Sequence, residues 1–194
     1  MKINHYHRKD CRLCGSKNLS KELELTPTPP ADSYVAKEFL EDEQGPIPLD
    51  LYLCLDCGHT QIGHVIDAKA VYDNYIYETV GTLGLGEHFE ECAATVMSKF
   101  SPKKGGLVLD IGSNDGILLK YFKDRGMKVI GIDPMPGIGE KAAENGVETL
   151  PDYFDEEYAI NFKEKYGSPK VICSNNLVAD TDDLTGFVKG VKNL

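Results

Sequence analysis

A chain of 194 residues that is 41% hydrophobic can bury one substantial core and a small satellite. The formal charge of -10 argues against a protein built to coat nucleic acid, although the first 21 residues carry six Lys/Arg against one Asp. No apolar run reaches the roughly 20 residues of a membrane helix and MKINHYHRKDC lacks the apolar stretch of a signal peptide, so the expectation is a soluble, cytoplasmic chain with no membrane partner.

In a reducing compartment, six cysteines read as ligands, nucleophiles or core residues before they read as disulfides. Four fall into matched pairs, Cys11-Arg-Leu-Cys14-Gly15 and Cys54-Leu-Asp-Cys57-Gly58. Two intervening residues let both thiolates of a pair reach one ion about 2.3 Å away, and the glycine accepts the left-handed turn that closes the knuckle. Cys11, Cys14, Cys54 and Cys57 therefore predict a closed tetrahedral zinc site, a structural staple with no open coordination position. The competing reading is a set of redox or merely buried cysteines. With four sulfurs available, His59 and His64 are expected as strand or surface residues.

The pairs are separated by 39 residues, more than a compact zinc ribbon needs, and TPTPPADSY and EDEQGPIPLDLYLC predict short hairpins with an extended proline-rich excursion. Beyond the second pair TQIGHV alternates as a strand, and Asp67 stands where it can cap a helix over AKAVYDNY. The zinc-binding β domain is thus assigned to residues 1–70. Residues 71–105 form a bridge: a loop, YIYETVGTLGLG, then a helix over EHFEECAATVMSKF. In that helix Phe89, Cys92, Ala93, Val96, Met97 and Phe100 recur with the 3.6 period of a buried stripe, which makes Cys92 a core residue.

Residues 106–194 alternate strand and helix four times. LVLDIG leads to DGILLKYFKDRG, KVIGID to PGIGEKAAENG, GVETL to FDEEYAINFKEKYG, and KVICSN to DDLTGFVKGVKNL. Short turns between such units predict a parallel sheet with right-handed crossovers, a partial doubly wound α/β domain whose ligand lies at the carboxyl ends of the strands. KVICSN is expected at the sheet's edge.

The first strand-to-helix loop, Asp110-Ile-Gly112-Ser-Asn-Asp-Gly116, lacks the middle glycine of a dinucleotide fingerprint. Asp110 and Asp115 put two carboxylates in or beside it, which repel a pyrophosphate and suit a ligand carrying an ammonium and a sulfonium. S-adenosylmethionine has both, and Asp133 at the end of KVIGID can accept from its ribose hydroxyls. A dinucleotide or an empty turn are the competing readings.

These segments together, C-R-L-C-G, C-x-x-C-G-H-T-Q, Y-I-Y-E-T, D-I-G-S-N-D-G and S-N-N-L-V-A-D-T-D-D-L, resemble the zinc-containing sugar C-methyltransferases over nearly the whole chain. The resemblance implies a four-cysteine zinc domain, a class I S-adenosylmethionine domain and methyl transfer to a carbon beside the ketone of a nucleotide-linked deoxysugar. By that correspondence Gly112, Asn114 and Gly116 hold the methionine end and Asp133 the ribose. It also sets Tyr153 and Phe154 beside the adenine, with ordinary core aromatics as their alternative, Asn175 at the closing end of the pocket, and Tyr77 reaching in from the bridge. Asp180 stands where the family often has a histidine, and is the candidate catalytic base in its place. The family continues beyond the position of Leu194, so the expectation is the zinc and cofactor-binding portion of an enzyme, able to bind cofactor without methylating sugar alone. The alternatives are an S-adenosylmethionine-binding module without turnover and a zinc-ribbon nucleic-acid adaptor.

Overall fold

The computed structural model describes residues 4–31, 35, 37–42, 45–72 and 78–194. Residues 1–76 with 182–185 make one compact unit, and residues 77–181 with 186–194 make the other.

In the first unit, strands β1 (His5–His7), β2 (Leu19–Leu23), β3 (Leu51–Cys54), β4 (Thr60–Ile62) and β5 (His64–Ile66) form two antiparallel sheets, β2-β3-β4 and β1-β5. The proline-rich excursion leaves β2 and returns to β3. It is pinched by a two-hydrogen-bond bridge between Thr28 and Ile47, and Ile47 is buried there. The expected single strand TQIGHV is corrected to two, because the chain changes sheets at Gly63: β4 pairs with β3, and β5 pairs with β1. At the break Gly63 donates to Asp50 O and accepts from Arg8 N. A side chain there would collide with the Tyr52 ring, so only glycine fits the crossing. Asp67 Oδ1 accepts from Lys69 N at 3.0 Å and caps α1 (Ala68–Tyr72); the rest of the helix expected over AKAVYDNY lies outside the described residues.

The second unit opens with α2 (Leu85–Phe100), which begins two residues before the expected start. There follow β6 (Leu107–Ile111), α3 (Ile117–Asp124), β7 (Lys128–Ile132), α4 (Ile138–Glu144), β8 (Glu148–Leu150), α5 (Glu156–Tyr166), β9 (Val171–Cys173) and α6 (Leu184–Asn193). The sheet is parallel in the order β8-β7-β6-β9. After two steps to one side of β6, the chain crosses to the other side, so β6 borders the topological switch point and β9 stands at an edge. Strand alternation sorts the core. Val108 packs with Ala93, Leu118, Leu119 and Phe122 from α2 and α3, while Leu109 and Ile111 pack on the opposite face with Phe162 and Phe187 from α5 and α6. Helices cover both faces, as the expected doubly wound α/β fold requires. Cys92 packs against the first of these clusters, partly buried.

Among the described residues, no helix is long and apolar enough to cross a membrane.

Candidate metal and cofactor sites

Each cysteine pair folds as a closed knuckle. Gly15 N donates to Cys11 O at 2.8 Å and Gly58 N to Cys54 O at 2.9 Å, with the glycines at φ 76° and 77°. Cys11 and Cys54 are buried, whereas Cys14 and Cys57 are exposed. The four Sγ atoms lie within 4.8 Å of one another, and two of the cross-pair distances, Cys11–Cys57 and Cys14–Cys54, are 3.7 Å. A disulfide requires about 2.05 Å. Four sulfurs about 2.3 Å from one ion lie about 3.8 Å apart at the corners of a tetrahedron, so the donor set and its spacing fit zinc. Neighbouring polar groups hold the knuckles together. Asp56 accepts from Ser16 Oγ at 2.5 Å and from Asn18 Nδ2 at 2.8 Å, and these bonds hold its carboxyl below the usual range. Buried Gln61 accepts from Arg12 N and donates to Asp10 O, both at 2.9 Å, fixing the first knuckle against β4.

In the second unit the loop after β6 is built from three left-handed residues, Gly112 (φ 78°), Asn114 (φ 48°) and Gly116 (φ 74°). Gly112 N and Ser113 N both donate to Ile132 O, which ties the loop to the end of β7. A side chain on Gly116 would press on Val147, and one on Gly131 would collide with Ser113, so both glycines are close approaches of backbone to side chain.

Two carboxylates flank this loop. Asp110, at the end of β6, is 3% exposed and its Oδ1 has no hydrogen-bond partner. Burial, reinforced by the charge of Asp133, pushes its carboxyl up to about 8. Asp133, after β7, is 8% exposed. Its Oδ2 accepts from Asn114 N and its Oδ1 from Met135 N, both at 2.9 Å. Burial raises its carboxyl above the ordinary value, and these two backbone donors oppose the shift. Asp115 is also buried in the loop, and its Oδ1 accepts from Ile117 N at 3.2 Å at the start of α3.

Sequence reasoning missed Thr79. This buried residue donates to Asn114 Oδ1 from its backbone N at 2.9 Å and from its hydroxyl at 3.2 Å. A hydrogen-bonded chain thus runs Thr79, Asn114, Asp133. Beside it, Glu78 and Lys141 of α4 form an ion pair. Thr79 ends the Y-I-Y-E-T segment, but nothing local names its partner, which lies 35 residues away.

Asp110, Gly112, Asn114, Gly116 and Asp133 are therefore brought together around one loop. The remaining predicted residues are placed differently. Tyr153 is partly exposed after β8. Phe154 packs edge-on against Phe187, 5.4 Å between centroids, and closely over Gly190, a core position. Asn175 is exposed after β9, and Asp180 closes a short turn over Val178–Asp180. That turn neighbours the loop through Leu177, whose side chain lies where a Cβ on Gly112 would point. Partial burial raises the Asp180 carboxyl above its ordinary value. Tyr77 lies outside the described residues.

Known proteins share both units. A family model described as a zinc binding domain matches residues 11–72, and one described as a methyltransferase domain matches residues 85–194. C-methyltransferase NovU of Streptomyces niveus is 25% identical over 185 residues, 95% of this chain and 44% of that protein. An uncharacterized methyltransferase of Alkaliphilus oremlandii is 34% identical over 64 residues, 32% of this chain and 30% of that protein. The chain thus spans less than half the length of the curated relatives it matches. Among solved structures, magnesium protoporphyrin IX methyltransferase from Synechocystis, with bound S-adenosylmethionine, aligns at a TM-score of 0.45 and 14% identity, over 58% of this chain and 55% of that one. A methyltransferase from Geobacter sulfurreducens in complex with S-adenosylhomocysteine aligns at 0.37 and 21%, over 53% and 43%. The chain belongs to the methyltransferase-domain family, as a zinc-containing member with the class I S-adenosylmethionine-binding fold.

Proposed function

We propose that the chain is the zinc and cofactor-binding portion of an S-adenosylmethionine-dependent C-methyltransferase acting on a nucleotide-linked keto-sugar. The observation that carries the cofactor reading is the left-handed loop at the sheet's switch point, flanked by the buried carboxylates of Asp110 and Asp133. Gly112, Asn114 and Gly116, all left-handed, set the turn that presents the loop to the methionine end. Asp110, buried with an unpartnered oxygen, gains a counter-charge from an α-ammonium. Each Asp133 oxygen already accepts one backbone bond and keeps a second lone pair for a ribose hydroxyl. Bound there, S-adenosylmethionine supplies an electrophilic methyl group. Tyr153 is assigned to the adenine and Asn175 to the closing end of the pocket, whereas the packing of Phe154 supports its core alternative. Asp180 is the base among these residues, its raised carboxyl suited to taking a proton from a carbon next to a ketone. Transfer to carbon is supported by the 25% identity to C-methyltransferase NovU, and the sugar acceptor by the motif resemblance alone. The zinc holds the first unit folded and takes no part in the transfer.

Thermal shift and labelled-methyl transfer test this reading together. S-adenosylhomocysteine should raise the melting temperature of the chain and NAD should not, because only a ligand of the native state stabilises it. Asp133→Ala should abolish most of the shift. An equal response to NAD would overturn the cofactor assignment. Cofactor binding by the whole protein, with no methyl transfer to any keto-sugar nucleotide, would favour a binding module over an enzyme.

A further inference from the structure

Away from the sulfur cluster, the first unit gathers three imidazoles on one sheet face. A strand alternates its side chains with a period of two, so His5 and His7 share a face of β1, and the antiparallel register sets His64 of β5 directly opposite His7. The ring centroids of His5 and His64 are 5.3 Å apart, and those of His7 and His64 are 5.0 Å apart. Two imidazoles ligating one tetrahedral ion, each through a nitrogen about 2.0 Å from the metal and about 1.1 Å from its ring centre, have centroids about 5 Å apart. His64 stands at that spacing from both neighbours.

Three further observations favour a ligand here. His64 Nδ1 is buried and has no hydrogen-bond partner. The Tyr52 hydroxyl lies 3.2 Å from His7 Nε2, an outer partner of the kind that fixes a ligating ring and leaves Nδ1 for the metal. Gly63 keeps the space beside His7 open, since a Cβ at that position would lie 3.1 Å from Nε2.

We propose that His5, His7 and His64 form a second metal site, a three-imidazole site for a borderline divalent ion such as Zn(II), Ni(II) or Cu(II), with an open fourth position. Among the described residues only the four cysteine sulfurs already lie within 4.8 Å of one another. The Tyr52 bond keeps the His7 ring in place, and the exposed His5 ring turns to complete the set. An ion held there pins β1 to β5.

The test is to fill the cysteine site with one equivalent of zinc and titrate the loaded protein with Ni(II) by calorimetry, alongside equilibrium dialysis with zinc. The wild type should bind a second equivalent, with affinity falling on acidification because protons compete with the metal for the ligand nitrogens. His5→Gln and His7→Gln, exposed changes that leave the fold intact, should each weaken the second equivalent at least about tenfold, the size of change seen even for outer partners of a metal. His88→Gln should not weaken it. With Co(II) as the probe, the second equivalent should add no thiolate charge-transfer absorption. A stoichiometry that stays at one, or a second equivalent unaffected by the His5 and His7 changes, would overturn the proposal and leave the rings as an aromatic cluster.

Discussion

Asp110→Asn should flatten the pH dependence of stability. The carboxyl is 3% exposed with an unpartnered oxygen, and its pKa is about 8 in the folded protein against the ordinary 3.8. Between those two values the native protein keeps a proton that the unfolded chain has released. Stability is therefore greatest at the acid end of the window and falls as pH rises, by about 1.4 kcal/mol per unit, until the folded pKa is passed. From pH 5.5 to pH 7.5 the loss assigned to Asp110 is about 2.5 kcal/mol, or roughly 5–10 °C in melting temperature for a chain of this size. Asparagine copies the shape of the protonated acid and cannot ionise. Melting both proteins at the two pH values isolates the effect, because the other titrating groups are common to both. The wild type should lose those additional degrees and the variant should not. Equal losses would mean that Asp110 is ionised in the native state, and the account of its burial would be wrong. Excess S-adenosylmethionine should shrink the wild-type slope, since its ammonium favours the charged form.

Thr79→Val keeps the backbone bond to Asn114 and removes the hydroxyl bond, so affinity for S-adenosylhomocysteine should fall about fivefold, as expected for the loss of about 1 kcal/mol, while Thr79→Ser retains it. Calorimetry decides between them, and equal affinities for all three proteins would remove Thr79 from the cradle. A strong chelator or Cys54→Ser should release one zinc and unfold the first unit, read by metal analysis and circular dichroism; a metal-free, fully folded first unit would refute the staple.

Legibility followed the range of the interaction. The C-x-x-C-G pairs announced both the four-sulfur cluster and its glycine turns, because knuckle geometry is set within five residues. The strand-helix repeats announced the parallel sheet, because both faces of each strand are buried and so read as apolar runs. Asp133 was readable from its place at a strand end. What escaped was decided by partners distant in sequence. TQIGHV reads as one strand by alternation, but Gly63 divides it between Tyr52 on one side and Arg8 on the other. Phe154 carries the same residue type whether it faces adenine or Phe187. Thr79 stood in the Y-I-Y-E-T segment, but its residue type did not name a partner so far along the chain.

The 39 residues between the two cysteine pairs form a closed circuit, with the sulfurs and the β2–β3 pairing at its base. A crosslink closing a long circuit removes more freedom from the unfolded chain than one closing a short circuit, and each doubling of length adds only about 0.6 kcal/mol to the cost of closure. The excursion can thus lengthen at little entropic cost. A protease nick between Leu25 and Gly45 would give two fragments, each still contributing two of the four sulfurs. The metal would then join a two-piece protein together with the β2–β3 and β1–β5 pairings, and removing it would leave only those pairings to hold the halves.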